Sequence, residues 1–226
     1  MTKKEYKTLF YDGFNSKLIE TAYFESILEI PRLNPHRSIE IPTGAIPFSK
    51  RNMQTDDGQM LVFYEKDPEF REFVSVPQKF ADEVKAFRFI STPDCSLYRD
   101  MPLILQLANI AVSRSIGYFY QEEGKYVIPN VRWGDERTYT DLLFDVPPAF
   151  AGITKHDIVT IGSYGCCQSK EDKYYLTHGL DAMLDYLMPK AVIVYGSFNE
   201  KLFKSFESRT AFYHIPDWIT QKKGCE

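Results

Sequence analysis

The stretch from Asp157-Ile-Val-Thr-Ile-Gly-Ser163 to Ala191-Val-Ile-Val-Tyr195 decides the fold class of this chain. Both runs are short and rich in β-branched residues, which is typical of buried strands. Between them, Ser169-Lys-Glu-Asp172 has the capping-box pattern of a helix N-terminus, and Pro189 marks the end of that helix. A strand, a helix and a second strand in this order predict a parallel βαβ unit.

The same alternation extends outward from this unit. Further strands are predicted at 61–64, 88–91, 126–131 and 210–214, and helices are predicted to begin at Pro68, at Ser75-Val-Pro-Gln78, at Met101 and after Asn199. The chain is therefore predicted to be an α/β protein with a mostly parallel sheet and alternating helices. We favour a TIM-barrel-like arrangement, complete or incomplete, because polar clusters follow three or four separate strands. An open doubly wound sheet, which usually gathers its site at one switch point, is the alternative.

The first 60 residues differ in pattern from the remainder. Pro31, Pro35, Pro42 and Pro47 exclude long helices after residue 30, whereas the apolar spacing over 18–28 predicts one amphipathic helix. We therefore predict an N-terminal extension over residues 1–60 that packs on an α/β domain formed by residues 61–226.

Composition limits the classes of function. The 226 residues are 44% hydrophobic and 15% aromatic, which is ample for a core. The net charge of -4, from 27 basic and 31 acidic residues that are well mixed, makes nonspecific nucleic-acid binding unfavourable. No apolar run reaches the roughly 20 residues that span a bilayer, and no apolar signal region follows the basic N-terminus. We therefore expect a cytoplasmic protein with no membrane partner.

Cysteine and histidine usage gives no metal site. The four cysteines include no CxxC pair, and the four histidines are scattered. Cys166 follows a predicted strand, but as no histidine is near in sequence we interpret it as a small buried thiol, not a nucleophile.

Polar residues follow three of the predicted strands. Asp94 and Arg99 lie after the strand 88–91, in a loop that leads to a helix. Asp94 is a candidate general base or ligand anchor, and the alternative is a turn-capping role. Because ligands of parallel sheets bind beyond the carboxyl ends of the strands, this loop is expected to border a site.

The densest cluster is Pro129-Asn-Val-Arg-Trp-Gly-Asp-Glu-Arg137. Asn130 and Arg132 are two residues apart and so point to the same side of a strand. Arg132 would bind a carboxylate or phosphate, Trp133 would stack on a flat ring, and Asp135 would bind a hydroxyl or transfer a proton. The alternative is structural: an Arg–Asp ion pair that holds a loop, with Trp133 in the core.

Glycines mark two more strand ends. Ser163 and Gly165 lie between a strand and a helix N-terminus, where backbone N–H groups could hold an anion, and Gly196 closes the strand 191–195. Neither GxxxxGK[ST] nor GxGxxG is present, so this is not a known phosphate-binding loop.

Three of these strings together resemble a known family. They are Phe89-Ile-Ser-Thr-Pro-Asp-Cys-Ser-Leu-Tyr-Arg-Asp-Met-Pro102, Val127-Ile-Pro-Asn-Val-Arg-Trp-Gly-Asp135 and Val194-Tyr-Gly-Ser197. The chain resembles, over residues 60 to 215, a domain-of-unknown-function family that is encoded by bacteriophages, prophages and plasmids of Gram-positive bacteria. The resemblance implies an origin in a mobile genetic element and supplies no catalytic residues.

The residues point to two classes of function. The first is a small-molecule site for a nucleotide or another phosphate- or carboxylate-bearing ligand, held by Arg99, Arg132 and Asn130. If this protein is an enzyme, it would be a hydrolase or transferase acting on a phosphate or glycosidic bond, with Asp94 and Asp135 transferring protons or holding Mg²⁺. The second is a non-catalytic accessory protein that binds a host protein or a nucleic-acid structure, through the aromatic run 118–120 and the N-terminal extension.

Overall fold

The computed structural model describes residues 15–163 and 169–223. Within these residues the strands are β1 (Phe24–Glu25), β2 (Ile30–Pro31), β3 (Gly44–Pro47), β4 (Gln59–Val62), β5 (Phe89–Ser91), β6 (Tyr126–Ile128), β7 (Ile158–Gly162), β8 (Ala191–Tyr195) and β9 (Ala211–Ile215). The α-helices are α1 (Asp67–Ser75), α2 (Ala81–Val84), α3 (Leu103–Glu122), α4 (Glu136–Tyr139), α5 (Lys170–Leu187), α6 (Glu200–Lys204) and α7 (Trp218–Lys223). Four short 3₁₀ helices span Ser16–Leu18, Phe48–Met53, Pro77–Phe80 and Pro148–Phe150.

Two parallel sheets carry the fold. The first has the order β3-β4-β5-β6 and the second has the order β7-β8-β9, and every neighbouring pair within them is parallel. A parallel bridge between Asn130 and Thr160 joins the two sheets, with the Val131 amide donating to the Thr160 carbonyl at 2.8 Å. The prediction of a mixed α/β protein with parallel strands and alternating helices is therefore confirmed. Among the described residues, no strand pairing closes the sheets into a barrel.

Alternate residues of the strands face different clusters of the core. On one face Leu61, Phe63 and Ile90 pack with residues of α1 to α3, and Val192 and Val194 pack with residues of α5. The residues of the other face form one cluster to which all seven strands β3 to β9 contribute: Ala45, Met60, Val62, Phe89, Ile128, Ile158, Ala191, Ile193, Tyr195 and Ile215. Both faces of β3 to β8 are thus mostly buried, as the apolar runs predict, whereas β9 is largely exposed.

The predicted caps of α5 and α6 are confirmed. Ser169 accepts from the Asp172 amide while the Asp172 side chain accepts from the Ser169 amide, which is the reciprocal capping box. Asn199 accepts from the Leu202 amide at the start of α6. These local signals require only residues within one turn, so they could be recognised without tertiary context.

Two predictions about helices are wrong. The segment 18–28 is predicted to be one amphipathic helix. In the structure a short 3₁₀ helix ends at Leu18, and the chain then forms the hairpin β1–β2. Ser26 and Glu29 adopt positive φ angles, which a helix excludes. The capping box predicted at Ser75 is also absent, since Ser75 ends α1 and its hydroxyl donates backward to the Arg71 carbonyl.

The main sheet begins earlier in the chain than the predicted division at residue 60. β3 lies at Gly44–Pro47 and pairs in parallel with β4. The segment predicted as an extension therefore supplies a strand of the sheet as well as the hairpin β1–β2. In the part of the chain that the structure describes, no helix has the length and apolar character needed to cross a membrane.

Candidate functional site

The candidate site is centred on Asp94, which follows β5 in the loop that leads to α3. Its side chain is buried, and each carboxylate oxygen accepts from a residue that follows β6. The Asn130 side-chain nitrogen donates to Oδ1 at 2.7 Å, and Nη1 of Arg132 donates to Oδ2 at 2.7 Å. The structure thus brings Asp94, Asn130 and Arg132 together although they lie 36 and 38 residues apart.

Burial raises the pKa of the Asp94 carboxyl above its usual range. The charge of Arg132 and the hydrogen bond from Asn130 act in the opposite direction, while the nearby carboxylate of Asp67 adds to the increase. Burial removes water from the charged form, and the two donors compensate for this only in part. A buried carboxyl whose pKa is raised in this way, and which also borders a cavity, is characteristic of functional sites.

Asn130 is held on its main chain as well as its side chain. Its amide donates to the Thr92 hydroxyl at 2.9 Å, and its carbonyl accepts from Nη1 of Arg114 at 3.0 Å. Arg114 is itself fully buried, and its guanidinium also donates to the carbonyls of Ala149 and Ala151. Burial lowers the pKa of Arg114 to about 10. These contacts fix the end of β6 relative to α3.

Two hollows meet at Asp94. The smaller, of about 370 Å³, is lined by Asp94, Leu97, Tyr98, Arg99, Val131, Arg132, Trp133, Gly134, Ile161, Gly162, Asp172, Tyr175 and Leu176. The larger, of about 890 Å³, is lined by residues at or just beyond the carboxyl ends of β3 to β9, together with parts of α1 and α7, and it shares Asp94, Tyr98, Arg132 and Gly162 with the smaller. Both hollows lie beyond the carboxyl ends of the parallel strands, where a site is expected.

The charges around the hollows are balanced or acidic. The smaller hollow has two basic and two acidic side chains, namely Arg99, Arg132, Asp94 and Asp172. The larger has three basic and five acidic side chains, which are Lys50, Lys66, Arg132, Glu65, Asp67, Glu69, Asp94 and Asp217. Segment 164–168, which lies outside the described residues, contains no charged residue. The lining therefore lacks the excess of positive charge that a polyphosphate requires.

Arg99 lies on the wall of the smaller hollow, as expected for a site residue. Its Nη2 donates to Oδ1 of Asp172 at 3.0 Å, and its guanidinium lies 4.8 Å from the centre of the Tyr175 ring. The side chain is thus held between α5 and the loop after β5. An anionic ligand near Arg99 would share it with Asp172.

Trp133 also lines the smaller hollow, but its indole is anchored in the wall. Its Nε1 donates to the Tyr175 carbonyl at 2.9 Å, and its ring lies directly against Gly179 of α5. A Cβ at Gly179 would lie 2.1 Å from Nε1, so the indole occupies the space of a missing side chain. This contact agrees with the alternative interpretation of Trp133 as a core anchor more closely than with a freely stacking ring.

Asp135 is not among the residues that line the two hollows. It caps α4 by accepting from the Arg137 amide at 3.0 Å, and it also accepts from Nε and Nη2 of the Arg137 guanidinium. Its catalytic assignment stays a prediction without supporting contacts. Within residues 15–163 and 169–223, no three His, Cys, Asp or Glu side chains gather as a potential metal site.

The glycine-rich strand ends lie near the site with mainly structural contacts. The Ser163 amide donates to the Tyr195 carbonyl at 3.0 Å, and its hydroxyl donates to the Ser197 carbonyl. Gly196 has a φ of 104°, which a residue with a side chain rarely adopts, and its amide donates to the Ile215 carbonyl. The predicted ligand-binding residue Gly165 lies outside the described residues, as does Cys166.

Sequence reasoning missed Tyr64, which lines the larger hollow. Its hydroxyl donates to the side-chain oxygen of Asn130 at 3.0 Å and lies 3.0 Å from the Thr160 hydroxyl. Burial raises the pKa of Tyr64 well above its usual value, and the charge of Asp94 adds to this effect. The sequence did contain a signal for this position. Tyr64 is two residues beyond Val62 and so points to the same side of the chain as Val62.

Comparisons with known proteins are consistent with the resemblance in the sequence. The family model described as "Domain of unknown function (DUF4417)" matches residues 22–214. The Gene 1 protein of Mycobacterium phage L5 is 33% identical over 187 residues, which cover 82% of this chain and 78% of that protein. The Gene 1 protein of Mycobacterium phage D29 is 32% identical over 172 residues, which cover 76% of this chain and 61% of that protein.

No solved structure matches this chain. The family match begins 38 residues earlier than the predicted residue 60, at residue 22, and so includes the hairpin β1–β2 and the strand β3. The predicted resemblance to an unknown-function family with phage-encoded members is confirmed by the two mycobacteriophage relatives. The chain belongs to the family DUF4417.

Proposed function

We propose that this protein binds a nucleotide-like small molecule beyond the carboxyl ends of its strands and acts on the glycosidic bond of that molecule. The observation that carries the proposal is the buried Asp94 carboxylate, held by Asn130 and Arg132 where two hollows meet. A ligand with two unlike parts could occupy both hollows, and the bond between the parts would then lie beside Asp94.

The smaller hollow suits a planar ring. Its volume of about 370 Å³ falls within the usual range for small-molecule sites. Tyr98 and Tyr175 offer aromatic surface, and Leu97, Val131 and Leu176 offer aliphatic surface. Aromatic and aliphatic side chains with a few polar groups are the typical lining for a base or a similar heterocycle.

The larger hollow suits a hydroxylated sugar better than a chain of phosphates. Its lining has more acidic than basic side chains, which disfavours several phosphate groups. Carboxylates are good acceptors for sugar hydroxyls, and Tyr195 and Trp218 provide flat apolar surface. Arg132 lines both hollows and could bind the single phosphate or carboxylate that we expected from the sequence.

The proposed reaction follows from the position of the Asp94 carboxylate relative to such a ligand. When a glycosidic bond breaks, the anomeric carbon becomes positively charged and the leaving group accepts a proton. Ionised Asp94 would stabilise or attack that carbon, and Arg132 and Asn130 would keep the carboxylate oriented. Water or another hydroxyl-bearing acceptor would then add at the same carbon, break any bond that the carboxylate had formed to it, and release a proton to the carboxylate. Asp94 would pass this proton to the leaving group and so return to its ionised form.

We further propose that the strands form an incomplete TIM-barrel-like cylinder. The order β3 to β9 follows the chain, every pair is parallel, and one apolar cluster contains residues from all seven strands. The α7 residue Gln221 donates to the Ala45 carbonyl of β3 at 3.3 Å. In this arrangement α7 would cover the gap between the last strand and the first. An enzyme of this type would act in the cytoplasm of the host cell.

The test measures ligand binding and base release with one isosteric variant. Purified protein is scanned by thermal unfolding with nucleosides, nucleoside monophosphates and free bases, and base release is followed by liquid chromatography. We expect stabilisation by one nucleoside or nucleotide class, and loss of turnover in Asp94→Asn by at least about 100-fold, since the variant removes the charge at the reacting carbon. Asp82→Asn, at an exposed carboxylate of α2, is the matched control and should behave as wild type. Stabilisation without any base release would refute the glycosidic chemistry.

The alternative is a non-catalytic accessory protein that binds a host protein or a nucleic-acid structure. The exposed aliphatic side chains Ile104, Leu105, Leu142 and Leu143 support this alternative. The aromatic run 118–120 does not, because Tyr118 and Tyr120 are buried and Phe119 packs against the core. Absence of stabilisation by every member of the ligand panel would favour the accessory protein.

A further inference from the structure

We infer that Tyr64 is a positioning residue that fixes the side-chain amide of Asn130 and, through it, one of the two donors to Asp94. The inference deepens the proposed function, because it concerns the same carboxylate. It rests on a hydrogen-bonded chain from Thr160 through Tyr64 and Asn130 to Asp94, in which the donor–acceptor distances are 3.0, 3.0 and 2.7 Å.

The direction of each hydrogen bond follows from the groups involved. An ionised carboxylate can only accept, so the Asn130 nitrogen must face Asp94 and the Asn130 oxygen must face Tyr64. The phenol proton of Tyr64 is then used in donating to Asn130. In its contact with Tyr64, the Thr160 hydroxyl can then only donate, and the Ile193 carbonyl, 3.3 Å from the same hydroxyl, competes for its single proton.

The side-chain torsion angles of Asn130 are the only ones that its main-chain contacts leave free. Its main-chain amide donates to the Thr92 hydroxyl and its carbonyl accepts from Arg114, so the peptide groups before and after its Cα are both held. The remaining choice is whether the amide nitrogen or the amide oxygen faces Asp94. The Asp94 carboxylate selects the nitrogen, and the Tyr64 hydroxyl holds that orientation by donating to the oxygen on the other side of the amide.

The Tyr64 ring is held by packing that does not depend on its hydroxyl. It stacks on Tyr195 with ring centres 4.9 Å apart and an interplanar angle of 15°. Gly162 lies against its other edge, and a Cβ at Gly162 would lie 2.5 Å from Cδ1 of Tyr64. Loss of the hydroxyl alone should therefore leave the ring in place and release only the amide of Asn130.

The test follows the ionisation of Asp94 directly. Protein labelled with ¹³C at the aspartate carboxyl carbons is titrated by NMR, and the Asp94 signal is assigned by its absence in Asp94→Asn. In Tyr64→Phe we expect the pKa of Asp94 to rise above the wild-type value, because the amide of Asn130 no longer has a fixed orientation and stabilises the charged form less. The titration needs no ligand, so its result does not depend on whether the proposed glycosidic chemistry is correct.

Tyr195→Phe is the matched control. It removes a hydroxyl from the partner ring in the same hollow, but that hydroxyl accepts from the Trp218 amide at 3.1 Å and does not contact Asn130. The pKa of Asp94 should stay within error of wild type in this variant. Thr160→Val, which removes the donor to Tyr64 and keeps the side-chain shape, should raise the pKa by less than Tyr64→Phe does.

The outcomes separate a positioning role from a merely structural one. A structural role would lower the thermal unfolding temperature of Tyr64→Phe and leave the pKa of Asp94 unchanged, which would overturn the inference. A fall in that pKa would overturn it as well, because it would mean that water enters the site and solvates the carboxylate. If base release is detected in the wild type, its pH profile should move upward with the pKa in Tyr64→Phe.

Discussion

Replacement of Gly179 by alanine offers a direct measure of how firmly Trp133 is built into the wall of the smaller hollow. A Cβ at this position would lie 2.1 Å from Nε1, 2.3 Å from Cε2 and 2.5 Å from Cδ1 of Trp133. Since carbon atoms in van der Waals contact are about 3.5–4.0 Å apart, the indole must move by more than 1 Å. That movement would break the hydrogen bond from Nε1 to the Tyr175 carbonyl.

Three contributions to the free energy of unfolding determine the expected loss of stability in Gly179→Ala. Overpacking of a buried position costs about 1–3 kcal/mol, and loss of one hydrogen bond costs about 1 kcal/mol. Alanine in place of glycine within a helix returns about 1 kcal/mol. Gly179→Ala should therefore destabilise the protein by about 2 kcal/mol, which for a domain of this size lowers the unfolding temperature by about 4–8 °C.

A double-mutant cycle with Trp133→Phe tests the assignment of this cost. A phenyl ring lacks the five-membered ring whose atoms lie nearest to Gly179, so Gly179→Ala should become neutral or slightly stabilising in the Trp133→Phe background. The coupling energy from urea unfolding, followed by circular dichroism, should then be about 2 kcal/mol. Equal costs in the two backgrounds would refute the contact. Lys173→Ala, at an exposed position of the same helix, serves as a control.

Two further predictions concern groups outside the hollows. Burial tends to raise the pKa of Asp157, but hydrogen bonds from His36 outweigh it and hold that pKa below its usual value. The stability that this charge contributes is present above about pH 4 and is lost as the pH falls through the lowered pKa. Asp157→Asn should therefore remove this loss of stability at acid pH, as measured by urea unfolding between pH 2 and 5. A pH dependence equal to that of the wild type would contradict the prediction. Ser169→Ala should lower the free energy of unfolding by about 1 kcal/mol, because it removes the N-cap of α5. A decrease of less than about 0.3 kcal/mol, which is the usual additivity error, would show that the capping box contributes little.

Sequence alone predicted the features that depend on neighbours along the chain. The parallel βαβ unit around β7, α5 and β8 was recognisable because apolar runs, a capping box and Pro189 all lie within 40 residues. The side-chain period of a strand placed Asn130 and Arg132 on one side, and the structure shows both at Asp94. The prediction that polar residues at the ends of different strands lie close together needed only this period and the geometry of parallel sheets.

Features that depend on distant contacts could not be predicted in the same way. The apolar spacing over 18–28 favours a helix, but Glu25 accepts from the Gly152 amide and Arg32 donates its amide to the Tyr23 carbonyl, which stabilise a hairpin. Partners 127 residues apart leave no trace in a local pattern. In the same way, nothing near Trp133 in sequence indicates that Gly179 leaves space for its indole.

The contrast between two buried carboxylates supports the proposal that Asp94 has a functional role. Asp94 and Asp157 are each 6% exposed, and each accepts hydrogen bonds on both oxygens. For Asp157 the surrounding donors outweigh burial and the pKa falls, so its charge stabilises the fold. For Asp94 burial outweighs the donors and the pKa rises, so its charge is unfavourable to the folded state relative to water. Asp94 also borders both hollows, and this position together with its raised pKa supports the proposal that places the chemistry at Asp94.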